Sequence, residues 1–183
     1  MRYLLDAAQS RFTVQAFVQG ALSALGHSPT FAVRALSGEI RLDPETMADL
    51  AISLKIQAES LALVDSVSAK DRDEIESRMR QEVLESAAYP AISYQSDAIT
   101  SSKIAENWYR LSIAGTLSLH GVTNSHRLDA QLRLSDDEIR LSGECPLAQP
   151  VYRIKRVSAL GGMITLKDEL KVVFDLVGRG QGE

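Results

Sequence analysis

The stretch YRLSIAGTLSLH, Tyr109 to His120, decides the fold class of this chain. Tyr109, Leu111, Ile113, Gly115, Leu117 and Leu119 alternate with Arg110, Ser112, Ala114, Thr116, Ser118 and His120. Successive side chains of an extended chain point to opposite faces, so a period of two marks a strand with one face buried and one wet. A helix would need apolar positions every three or four residues. These 12 residues would span roughly 36 Å at ~3.3 Å each. Such length suits the wall of a tall barrel better than a compact sandwich.

The same alternation recurs to either side. It runs through Phe12, Val14, Ala16 and Val18; through Leu50, Ile52, Leu54 and Ile56; and through Ile92 and Tyr94 after Tyr89-Pro90. Downstream it continues in Leu128, Ala130, Leu132 and Leu134, in Ile139, Leu141, Gly143 and Cys145, and in Leu170, Val172, Phe174 and Leu176. Turn clusters punctuate it at Asp43-Pro44-Glu45, Thr100-Ser101-Ser102, Ser135-Asp136-Asp137 and Gly161-Gly162. In Phe31–Asp43 the apolar parity changes from odd (Phe31, Val33, Ala35) to even (Leu36, Ile40, Leu42), which predicts a β-bulge eased by Gly38. Gly115 inside the long strand predicts a bend at a barrel corner. One segment differs. Lys70–Glu85 is rich in helix formers, with Ile75, Met79 and Val83 four residues apart and a start signal in Ser68 and Asp71. Its many charges read as a solvated face.

About eight strands, each apolar on one face, exclude a parallel sheet buried on both sides. One helix cannot cover an open sheet of that width, so the strands must cover one another. The expected fold is mainly β: a single antiparallel eight-stranded barrel with one amphipathic helix, over residues 1–177, followed by a flexible tail at 178–183. Phe12, Val14, Phe31, Val33, Leu54, Leu111, Ile113, Leu117, Leu132 and Phe174 are expected to face the interior. Small residues there (Gly115, Ala130, Gly143) are expected to leave volume unfilled. The helix is expected to cover an open end, with Met79, Phe31 and Trp108 bordering a tunnel.

With 183 residues, the chain suits one domain with a real core. A net charge of −4 argues against a nucleic-acid partner, which would need a basic face. The single cysteine, Cys145, permits no internal disulfide. No run approaches the roughly 20 apolar residues that cross a bilayer, so stable membrane insertion is not expected. Met1 leads into RYLLDAAQSRF, which lacks a seven-residue apolar run, and the expectation is a cytoplasmic protein. A homodimer is left open.

Catalytic patterns are missing. There is no Gly-x-Ser-x-Gly elbow, no glycine-rich phosphate loop and no carboxylate pair marked out for acid–base work, and Cys145 falls on the inward parity as a small hydrophobe. The histidines are the metal candidates. Matching apolar faces places Leu119 opposite His126, Leu117 opposite Leu128 and Ile113 opposite Leu132, closing a four-residue loop Gly121–Asn124. His126 then lies with the apolar face and His120 away from it, so the two cannot share an ion, and no metal is expected. His27, in a Gly-His-Ser-Pro turn, reads as a turn histidine or a polar group at a pocket mouth. Arg153, Lys155 and Arg156, with Arg34 or Arg72, could meet a phosphate head group or merely decorate the surface.

Several segments together resemble the YceI-like, polyisoprenoid-binding family. They are Tyr3-Leu4-Leu5-Asp6 with Ser10; Lys70-Asp71-Arg72-Asp73 leading into a helix; Tyr89-Pro90-x-Ile92; and Gly115-Thr116-Leu117-Ser118-Leu119-His120-Gly121-Val122-Thr123. Gly26-His27, Ile154-Lys155 through Ser158-Ala159-Leu160, and Lys167-Asp168-Glu169-Leu170 resemble a divergent branch of it. The likeness runs from Tyr3 to about Val177, and order and spacing carry it rather than any one motif. It implies a lipocalin-like barrel whose lumen takes a polyisoprenoid, a quinone tail or a related lipid; the head-group candidates His27, Arg72, Arg153 and Lys155 come from the residues themselves. No cofactor is expected beyond such a bound ligand, and the chain is expected to carry rather than catalyse. The competing expectations are a scaffold with a solid barrel and a lipid-modifying enzyme with His27 or His126 at the mouth.

Overall fold

The computed structural model describes residues 1–20, 28–159 and 164–181; the Gly161-Gly162 turn signal and His27 lie outside these. The alternating stretches become, in chain order, β1 (Arg2–Leu5), β2 (Arg11–Gln15), β3 (Val18–Gln19), β4 (Thr30–Val33), β5 (Leu36–Arg41), β6 (Ala51–Gln57) and β7 (Leu61–Leu63). After a helix, α1 (Ala69–Arg78), come β8 (Ala91–Ala105), β9 (Trp108–Leu119), β10 (Val122–Leu134) and β11 (Glu138–Ala148), then the short β12 (Ser158–Ala159) and β13 (Ile164–Leu166), and finally β14 (Glu169–Gln181).

Eight of these strands close an antiparallel barrel, in the order β1-β5-β6-β8-β9-β10-β11-β14, with β14 returning to β1. Closure is what one-sided strands require. It turns every apolar face inward and leaves the ring without a free edge.

β14 serves two neighbours along one side. Its first half pairs with β2 (Phe174 opposite Phe12), and its end pairs with β1 (Gly178 opposite Leu5, Gln181 opposite Arg2). Residues 178–181 are therefore strand, not the loose tail expected from 178. The apolar alternation stops there because Gly178 and Gly180 carry no side chain, while the backbone pairing continues. A Cβ at Gly178 would lie 3.2 Å from Cβ of Tyr3, so the glycine lets the opening strand come close.

The parity change in Phe31–Asp43 is a corner between two strands, not a bulge within one. β4 pairs with β2 and β7, whereas β5 pairs with β1 and β6; the chain changes partners at Arg34-Ala35. Gly38 serves a different purpose, since the Ser53 carbonyl of β6 occupies the place its Cβ would take. Bulges do occur elsewhere, between β8 and β9 around Asp97 and Ile104.

At one end of the barrel β2, β4 and β7 splay from the ring, and β7 presents an unpaired edge. The helix closes this gap. Ser68 starts it, its hydroxyl accepting the Asp71 N–H at 3.1 Å, and a π turn (Met79–Val83) extends it. The Glu76 carboxylate accepts the Leu63 N–H at 2.9 Å, while Arg72 donates to the carbonyls of Leu63 and of Asp65, the latter at 2.8 Å. Arg80 holds Glu76 in place at 2.9 Å. Part of the helix's charge, expected to be merely solvated, thus substitutes for a missing strand.

The opposite end is solid. Tyr3, Ile40, Leu42, Leu111, Leu132 and Ile139 are each no more than 2% exposed and pack as a floor across the closed ring.

Candidate functional site

Above that floor the barrel is hollow. A cavity of about 480 Å³ extends from Ile52, Ile113, Leu141 and Leu176 up to the helix, where Ile75, Arg78, Met79 and Val83 meet Ile154, Val157 and Ser158. Among the predicted lumen residues, Phe12, Val14, Phe31, Val33, Leu54, Met79, Ile113, Leu117 and Phe174 line it. Three do not. Leu111 and Leu132, both wholly buried, belong to the floor. Trp108 sits at the far end of β9, where its indole N–H donates to the Gln131 amide oxygen at 3.0 Å and the Arg133 guanidinium covers its ring. Parity selects a face but not a height along the strand, which is why the inward set includes both floor and cavity.

The small inward residues do not create the volume. A Cβ at Gly115 would lie 2.5 Å from Cζ of Tyr94, and one at Gly143 would lie 2.8 Å from Cζ of Phe174. Each glycine is a niche that a neighbouring ring fills. The hollow arises instead from the wall. β10 and β11 are hydrogen-bonded only across Ala130–Leu134 and Ile139–Gly143, and above that they part. A 3₁₀ turn, Gln149–Tyr152, then folds back on β10, with the Asn124 amide donating to the Val151 carbonyl at 3.1 Å.

The β9–β10 hairpin is tighter than expected. Val122 opposes Leu119 and Leu128 opposes Ile113, so only His120 and Gly121 form the turn, with φ of +51° and +70°. Two positive φ values give the turn twist that matches two flanking strands, and Gly121 supplies one without strain. The register differs from the expected one by four residues. An even slip preserves every face, so His126 still lies on the inner face, opposite Gly115. His120 bridges instead at the turn: its ring lies 2.6 Å from the Glu85 carboxylate and 3.1 Å from the Tyr152 carbonyl, against the Tyr89 ring. The two histidines remain apart. Among the described residues no group of three or more metal-ligating side chains converges.

The head-group candidates also separate. Arg72 is committed to the edge of β7. Arg153 and Lys155 are exposed and outside the cavity wall, and Arg156 pairs with Asp168. Arg78, which the sequence reading passed over, reaches the rim; it donates to Glu82 at 3.2 Å and to the Ser158 carbonyl at 3.4 Å. Ile75, Arg78 and Met79 share a helix face at spacings of three and four, so the periodicity contained that signal. The other polar groups on the wall are uncharged. Burial pushes the Cys145 thiol up to about 11 and holds the His126 imidazole below its ordinary value. Gln149, 4% exposed, ties its amide NH₂ to the Lys167 carbonyl at 3.1 Å. Among the described residues no helix is long and apolar enough to cross a membrane.

Comparison with known proteins agrees with this geometry. The model of the YceI-like domain matches residues 3–178. A polyisoprenoid-binding domain from Saccharophagus degradans, implicated in plant cell wall breakdown, superposes with a TM-score of 0.72 at 19% identity, covering 98% of each chain. BcnA of Burkholderia cenocepacia gives 0.71 at 16% identity, covering 94% of this chain and 98% of that one. The Campylobacter jejuni YceI protein gives 0.61 at 14% identity, covering 82% and 84%. No curated protein matches the chain by sequence. These likenesses carry the fold, and the family model spans nearly every residue of the barrel. The chain belongs to the YceI-like domain family.

Proposed function

We propose that this protein binds and carries an apolar chain ligand, a polyisoprenoid, a quinone tail or a related lipid, in the barrel cavity. The observation that carries the reading is the hollow upper half of the barrel, walled by Phe12, Val14, Phe31, Val33 and Leu117 and floored by packed side chains. Its volume lies within the roughly 300–1,000 Å³ range of small-molecule sites. Each CH₂ removed from water in such a place contributes about 0.8 kcal/mol. A short buried segment therefore outweighs the cost of ordering a flexible chain. The polyisoprenoid-binding domain with the same fold supports the ligand class.

Native mass spectrometry of freshly purified protein, with lipid extraction, tests the reading directly. A fluorescent prenyl analogue should bind at micromolar concentration, and Val14→Trp, which puts bulk into the cavity, should weaken it at least tenfold while the far-UV spectrum is unchanged. Absence of any prenyl or quinone binding by the wild type would transfer the fold to a scaffolding role.

A further inference from the structure

One side chain on the cavity wall is out of keeping with a site for hydrocarbon alone. His126 lies about midway up the cavity part of β10, opposite Gly115, four positions from the floor at Ala130 and four from the turn at Val122. At ~3.3 Å per residue its ring is about 13 Å from either end. The Tyr94 ring meets it edge-on with centroids 6.5 Å apart, but the Tyr94 hydroxyl donates to the His126 backbone carbonyl and leaves the imidazole alone. Among the described residues the His126 ring makes no hydrogen bond, so its nitrogens are left open toward the cavity that the ring lines. Nearer the rim, the nine-tenths buried Gln149 adds an amide oxygen to the same wall.

We propose that His126 is a specificity-determining residue that hydrogen-bonds a neutral hydroxyl or carbonyl of the ligand inside the cavity. The inference rests on the carrier reading and narrows its ligand to a chain lipid with an uncharged polar group. Neutral imidazole offers one donor and one acceptor nitrogen, which suits a hydroxyl or a carbonyl equally. Burial, which disfavours the charged ring, agrees with a neutral partner. A phosphate at this depth would be a buried charge without a counter-ion. The nearest cation on the wall, Arg78, is at the rim and already engaged by Glu82 and Ser158.

The test uses three probes in competition with a fluorescent prenyl analogue: a C20 prenyl alcohol, the same chain without the hydroxyl, and its monophosphate. Wild type should bind the alcohol about tenfold more tightly than the hydrocarbon, the worth of one buried hydrogen bond. His126→Leu should erase that preference while still binding the hydrocarbon. His126→Gln, which keeps a donor and an acceptor, should restore most of it and serves as the deciding variant if His126→Leu fails to fold. Equal binding of alcohol and hydrocarbon by wild type, or tightest binding of the monophosphate, would overturn the inference and leave the carrier reading intact. No binding of any probe would overturn both.

Discussion

The ring of Tyr94 on β8 occupies the space that a side chain at Gly115 on β9 would need. The two residues lie on adjacent strands of the inner wall, and Tyr94 is 9% exposed. Gly115→Leu is therefore a packing change, not a narrowing of the cavity.

Overfilling a packed site typically costs about 1–3 kcal/mol, and Gly115→Leu should lower urea stability by at least that. Combining it with Tyr94→Ala should recover part of the loss. A double-mutant cycle with no coupling would show that the ring does not fill the niche.

Floor and cavity residues should differ in what truncation costs. Leu132 is wholly buried, and Leu132→Ala should cost about 2–5 kcal/mol. Leu128, four residues along the same face of β10, borders empty space on one side and has fewer contacts to lose. Leu128→Ala should cost distinctly less by chemical denaturation. Equal penalties would mean that the upper barrel is filled.

Cys145 should resist alkylation in the native protein. Its thiol is buried, and desolvation pushes its pKa up to about 11 from 9.0. Between those values the unfolded chain loses the proton while the folded chain keeps it, so stability contributed by this group is present below pH 9.0 and lost as pH rises toward 11. Iodoacetamide should label it at pH 8 only after denaturant is added, and Cys145→Ala should flatten the alkaline limb of the stability profile. Rapid native labelling would contradict the burial.

The helix anchor can be tested by hydrogen exchange. Glu76→Ala leaves the Leu63 N–H without its partner, a loss of about 1–3 kcal/mol for a buried group. Exchange at Leu63 should accelerate while amides of the floor strands keep their protection. Unchanged exchange would mean that the carboxylate is incidental.

Much of this architecture is legible in the alternation, because faces obey a period of two. Register and height do not. The His120–Gly121 turn and the expected four-residue loop place the same residues inward, since a slip of four changes nothing that hydrophobicity can report. Leu111 and Ile113 read alike in sequence, yet one is floor and the other cavity wall, a difference set by where the ring stops closing. Trp108 directly precedes the inward Tyr109 and so falls on the outward parity; its ring meets Gln131 and Arg133 on the outer surface, and aromatic character alone does not bring it to the cavity. A basic residue does not reveal in sequence what it will meet: Arg72, a head-group candidate, meets the backbone of β7 at Leu63 and of Asp65 just beyond it.

That last contact has a consequence for solution behaviour. A strand with free backbone groups is a template on which another copy of the same chain can add its own strand, and natural sheets protect such edges by covering them. Here the guard is three side chains of one short helix, Arg72, Glu76 and Arg80, bonded to the backbone of Leu61 and Leu63 of β7. Any condition that frees the helix uncovers an assembly surface together with the cavity mouth. Propensity to polymerise should therefore follow the integrity of this ionic clasp, rising with salt and with its mutation, even where overall thermal stability barely changes.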